Sequence, residues 1–139
     1  MIIPKSVEYE VESHFVCYAE EKQRIKELAT DIAEAITPNL DGVGGSGSIS
    51  DPTAQKAAQI EKETSELKSW VEVVEATIAH FNQVAPDKVK LIKLYYFELY
   101  EWRKVQMALH IGSSTFFKWR EDVIVYAAAK AMRKKLVDF

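Results

Sequence analysis

Most of the residue types that would give this chain a catalytic or membrane function are scarce. One cysteine, Cys17, is present, so no internal disulfide can form and a reducing cytoplasm is the expected home. A lone thiol without a helper reads as a half-buried helix side chain. No apolar run approaches the roughly 18 residues of a membrane-spanning helix. The start, MIIPKSVEYE, turns acidic too early for a secretory signal. His14, His80 and His110 are far apart in the sequence, so no metal site is expected. No nucleophile–base–acid set is recognisable, and neither an enzyme nor a bound cofactor is expected.

Glycine and proline are also few, and they are clustered. All of Gly42, Gly44, Gly45 and Gly47 fall in TPNLDGVGGSGSISDP, a polar linker lacking the Lys-Ser/Thr that would make it a phosphate-binding loop. Strand-like alternation and hairpin dipeptides are missing elsewhere, so the chain is expected to be all-α. The punctuation divides it into an N-terminal amphipathic helix (1–37), a linker (38–50), a second long helix (51–83) and a C-terminal unit (84–139).

The first helix is expected over Ser6 to Ile36. Val11, Tyr18, Ile25 and Ile32 form one heptad row, and Val7, Leu28 and Ala35 lie on the next, where His14 and Glu21 interrupt it. The second opens with Asp51 as N-cap and Pro52 at its first position. Its rows are Ala57, Thr64, Val71, Ile78 and Ile60, Leu67, Val74, Phe81, flanked by Trp70. Two such stripes suggest a helical hairpin. A small C-terminal unit offers little to bury them against, so a homo-oligomer through these helices is expected as well.

Charge is unevenly spread. The net charge of −3 combines 15 acids and 7 bases in residues 1–83 with 6 acids and 11 bases in residues 84–139. A basic C-terminal segment behind an acidic one fits nucleic acid as a partner. There, Asp87 after Pro86 is expected to cap a helix through about Phe97, with Val89, Ile92 and Tyr96 on its core face and Leu91, Leu94 and Tyr95 widening it. Lysines 88, 90 and 93 are expected mostly opposite.

The stretch WRKVQMALHIGSSTFFKWR, Trp102 to Arg120, has the apolar spacing of two short helices and a tight turn. Val105 and Leu109, with Ala108 beside them, should face inward, and Ile111 should plug the turn His110-Ile111-Gly112. The last helix is expected from Ser113 to about Leu136, with Phe116, Trp119 and Val123 as its core stripe. This is the grammar of a helix-turn-helix, which offers its second helix to the DNA major groove. Ser113, Ser114, Phe117, Lys118 and Glu121 then point outward, where lysine can contact guanine and serine a base or phosphate. Phe117 either touches a thymine methyl or packs on a neighbouring helix. Thr115 and Arg120, with Arg103 and Lys104 on the preceding helix, are placed for phosphate.

Taken together, the chain resembles the RinA family of phage-encoded transcriptional activators. The resemblance runs through the N-terminal helix, the Gly-rich linker, Ser50-Asp51-Pro52-Thr53, Leu94-Tyr95-Tyr96, Leu109-His110-Ile111, Thr115 and Phe117-Lys118-Trp119-Arg120. Gly112 replaces a usual serine, and Ser113-Ser114 an often basic pair. The family's C-terminal region is similar to the promoter-reading helix-turn-helix of bacterial sigma factors. The resemblance implies a DNA-binding activator of late packaging and morphogenesis genes, with promoter DNA and RNA polymerase as partners. A small terminase subunit, a DNA-binding structural component of packaging, is the alternative. Such subunits usually carry their helix-turn-helix at the N-terminus, whereas here it is C-terminal.

Overall fold

A computed structural model of the chain describes residues 2–36 and 52–139. Among these there are helices and no strands: α1 (Lys5–Val16), α2 (Tyr18–Ile36), α3 (Pro52–Val84), α4 (Pro86–Leu91), a π-helical segment (Ile92–Phe97), α5 (Trp102–Leu109) and α6 (Ser113–Arg133). The protein is all-α, as its composition led us to expect. The linker, the Asp51 cap and the side chains of Ile32 and Ala35 lie outside the described residues.

The expected first helix is two. It breaks at Cys17, whose ψ of 12° leaves the helical region. The two polar residues that spoil the heptad row explain the break. His14 stacks on Trp70 with ring centroids 3.8 Å apart, and its Nδ1 meets the carboxylate of Glu21, a residue only 8 % exposed. Bringing these two groups together inside the molecule turns α1 away from the direction of α2, although the second carboxylate oxygen of Glu21 is buried without a partner. The buried stripe of α1 is consequently Val7, Val11 and Phe15, one residue per helical turn, and Phe15 belonged to neither heptad row.

Helix α2 runs antiparallel to α3. Tyr18 donates to Glu75 (2.6 Å), Lys22 reaches the same carboxylate (3.8 Å), and Arg24, further along, meets Glu63 (3.5 Å) further back on α3. These exposed ion pairs fix register more than they stabilise. Along α3 the expected rows do face inward: Ile60, Thr64, Val71, Val74 and Phe81 are buried, and Thr64 and Thr77 return their hydroxyls to the carbonyls of Ile60 and Val73. Helices α1, α2, α4 and α6 pack along much of this stripe, while Ala57, Leu67 and Ile78 stay half-buried.

One large apolar cluster joins Val7, Val11 and Phe15 of α1 to Trp70, Val73, Val74 and Phe81 of α3. It continues through Val89, Ile92 and Tyr96 to Val123, Ile124, Ala127, Ala128 and Ala131 of α6. The boundary expected near residue 84 is therefore a turn at Ala85–Pro86 and no division of the core. Nor is Asp87 a cap. Ala85 holds that position and Pro86 the first helical one, with Asp87 in the first turn, where its charge suits the helix dipole. Lys88 folds inward to Asp122 (2.9 Å), while Lys90 and Lys93 are exposed.

A second, smaller cluster consists of Leu91, Val105 and Phe116, ringed by Leu94, Tyr95, Tyr100, Trp102, Leu109, Ile111 and Trp119. The chain after α4 has to serve both clusters. Widening to a π-helix lets Ile92 and Tyr96 face the large one while Leu94 and Tyr95 reach the small one.

Candidate functional site

Helices α5 and α6 are joined by His110-Ile111-Gly112. His110 adopts the left-handed conformation (φ 55°), the Ile111 N–H donates to the Gln106 carbonyl (3.1 Å) and the His110 N–H to that of Met107 (3.4 Å). This pair of bonds is a Schellman stop, in which a left-handed residue reverses the chain and satisfies the last carbonyls. Glycine is the usual occupant; histidine takes the conformation at some cost. Ile111 follows it into the small cluster, where the expected plug is half-buried. Val105 is fully buried and Leu109 half-buried, whereas Ala108 faces solvent.

Gly112 then opens α6 in extended backbone (φ −81°, ψ 170°). Phe116 and Val123 are fully buried and Trp119 half-buried, as the i, i+3, i+7 stripe requires. Opposite them, Ser113, Ser114, Phe117, Lys118 and Glu121 are all exposed. Ser114, Phe117, Lys118 and Glu121 fall at i, i+3, i+4 and i+7 and share one face. Neither Lys118 nor Glu121 is ion-paired among the described residues. At the N-terminal end of α5, Arg103 and Lys104 are also exposed. Each rests over an aromatic ring, Arg103 on Trp102 (5.0 Å) and Lys104 on Tyr100 (4.0 Å), which narrows the directions in which their charges point.

Two of the expected phosphate contacts stand differently. Thr115 is half-buried. Arg120 is held by α1: its Nη2 donates to Glu8 Oε1 (2.8 Å) and Glu12 Oε1 (2.6 Å), and its Nε to Glu12 Oε2 (3.1 Å). The hydroxyl of buried Tyr96 donates to that same Oε2 (2.8 Å). Burial, then the Glu12 charge and hydrogen bond, push the Tyr96 phenol well above its ordinary range. For Arg120, burial opposes the charge, but the bonds to Glu12 and Glu8 outweigh it. The guanidinium is thus an internal tie between α1 and α6 and not a free cation for phosphate. Arg120 lies on the inward face of α6, four residues after Phe116 and three before Val123, both fully buried. Spacing from Phe116 and Val123 thus gave an inward position, but not which element would supply the carboxylates there. Glu8 and Glu12, one turn apart on a helix with a clean apolar stripe, were the signal for such a partner.

The outward set so assembled is a shallow, polar, rigidly backed helix face. Beside Phe117 it borders an open cleft of about 360 Å³, lined also by Ile2, Ile3, Glu121, Ile124 and Val125 and by the paired Glu8 and Arg120. No group of three or more potential metal ligands exists among the described residues, and none of their helices is long and apolar enough to cross a membrane.

Comparison with known proteins places the chain. It belongs to the family described as "Protein of unknown function (DUF722)", whose model matches residues 18–127. No curated protein and no solved structure matches it. The DUF722 match takes in α2 through the outward face of α6. Helix α1, which supplies the two carboxylates for Arg120, precedes it.

Proposed function

We propose that this chain is a phage-encoded transcriptional activator that binds promoter DNA through α5 and α6 and switches on late packaging and morphogenesis genes. The observation that carries the reading is the turn at His110 together with what α6 leaves uncovered. A left-handed stop three residues before the helix puts Ser113, Ser114, Phe117, Lys118 and Glu121 on the outside of its first turns. These are the positions from which a recognition helix meets base edges. Arg103 and Lys104, braced on aromatic rings, flank that face and serve as phosphate contacts. The similarity to the RinA family adds the regulatory role, in the host cytoplasm. The acidic α2–α3 pair is then the surface offered to RNA polymerase.

Self-association through the N-terminal helices is part of this reading. A monomer or dimer in sedimentation fits an activator, and a ring of eight or more subunits returns the packaging-component reading.

The test is a titration on the phage's late promoter region against random duplex, at several salt concentrations. Lys118→Ala is expected to weaken the promoter complex by about 1–3 kcal/mol while changing random-duplex binding less. Equal loss on both makes Lys118 a phosphate contact. No preference for any phage promoter overturns the activator function.

A further inference from the structure

We infer that Phe117 reads the 5-methyl group of a pyrimidine in the major groove, so that the bound sequence carries a required thymine next to the base met by Lys118. The inference rests on the DNA-binding reading and specifies its target. Phe117 is 47 % exposed, yet its ring is not loose. The Trp102 ring lies 5.4 Å away at 45°, and the fully buried Phe116 meets it edge-on at 5.1 Å. Sequence left two readings of this residue, contact with a thymine methyl or packing on a neighbouring helix. The geometry allows both at once: one side of the ring packs on α5, and the remainder stays on the outward stripe with Ser114, Lys118 and Glu121.

What such a ring can meet in the major groove is narrow. Every base edge there presents hydrogen-bond donors or acceptors, and the thymine methyl is the one apolar group. Against adenine, guanine or cytosine the ring would strip water from a polar edge and return no hydrogen bond, which is unfavourable. Phe117 therefore discriminates twice, by apolar contact with a methyl and by rejection of bare polar edges. Its neighbours complete the pattern. Lys118 donates to guanine O6 or N7, and Glu121, one turn on, accepts from the cytosine amino group. 5-Methylcytosine presents the same methyl and is expected to substitute for thymine in contact with the ring.

The full chain is used to enrich binding sequences from a random-sequence duplex pool, and each thymine of the enriched duplex is then replaced singly by uracil. At one or two positions the wild type is expected to bind the uracil duplex about fourfold more weakly, the effect of one methyl-sized group removed from water. Phe117→Ala is expected to bind thymine and uracil duplexes alike, whereas Phe117→Leu retains part of the preference. Retention in the leucine variant separates methyl contact from general damage to the helix. If every uracil duplex binds the wild type as well as its thymine parent, DNA binding stands and the methyl inference falls. It falls too if Phe117→Ala keeps the full uracil effect. A pool that enriches no sequence overturns both readings together.

Discussion

The two apolar clusters are built from different materials. The large one sets valines, isoleucines and the buried rings of Phe15, Trp70, Phe81 and Tyr96 against Ala127, Ala128 and Ala131, small side chains that let α6 lie close to its neighbours. The small one has three fully buried residues inside a ring of half-buried side chains, four of them aromatic, whose outer edges meet water. Helix α6 belongs to both. Its second half is anchored in the large cluster, and its first half is carried over the small one as a rod of fixed direction. The candidate site is thus positioned by packing some distance from it, while the small cluster and the His110 turn only trim its start. Tyr95, which packs against both clusters, is the bridge between them.

The largest expected effects test whether the clusters melt as one. Phe15→Ala empties the centre of the large cluster and is expected to cost about 4 kcal/mol; Phe116→Ala in the small cluster should cost about 3 kcal/mol. The three tryptophans report separately, Trp70 from the large cluster and Trp102 and Trp119 from the small one. One coincident unfolding transition in fluorescence and circular dichroism for both variants makes the clusters a single cooperative unit. A separate early transition in Phe116→Ala would show that α5 and the turn come apart first.

Next in size is the tie that fixes how α6 is rotated. Arg120→Met leaves Glu8 and Glu12 partly buried without their cation and should cost about 2 kcal/mol, less than a fully buried pair because these side chains keep some access to water. A double-mutant cycle with Glu12→Gln is expected to recover much of the loss. On DNA, Arg120→Met should lower the preference for the promoter but leave the salt slope unchanged. A slope reduced by about one would make Arg120 a phosphate contact after all.

These contrasts show what was readable from the residues. Val89, Ile92, Tyr96, Phe116 and Val123 stood out because a core face repeats at the helical period, and their burial needs no knowledge of the partner. The α3 rows were legible for the same reason. The break at Cys17 was not, because heptad counting across a helix end moves residues to the wrong face, and Phe15 was lost with it. Arg120 was misplaced for a different reason. Its register with Phe116 and Val123 put it on the inward face, but its role depends on the carboxylates of the covering helix, and α1 lies more than 100 residues away in sequence.

A smaller effect of opposite sign sharpens the account of the turn. His110 holds a left-handed backbone that glycine occupies without strain, and its side chain is exposed. His110→Gly should therefore stabilise the chain, by about 0.5 kcal/mol once glycine's greater freedom in the unfolded state is set against the relief. A destabilised His110→Gly variant would mean that the imidazole makes a contact the turn depends on.

The smallest effect is confined to alkaline solution, and it again separates the parts of the molecule. Tyr18 links α2 to α3 by donating to Glu75; its phenol is pushed up to about 12, first by burial and then by that bond and charge. Tyr96 is raised by burial beside Glu12. A phenol that binds its proton more tightly in the folded chain stabilises the fold fully below its unfolded value near 10, and that contribution disappears as pH rises through the folded value. Stability is expected to be level in this respect below about pH 10 and to fall between about 10 and 12. Tyr18→Phe should flatten part of that fall, since no phenol remains there to ionise against Glu75. Denaturant midpoints across the window, read with tyrosinate absorbance, provide the measurement. If Tyr18→Phe and the wild type lose stability equally, the alkaline sensitivity belongs to the other raised groups, Tyr96 and the thiol of Cys17.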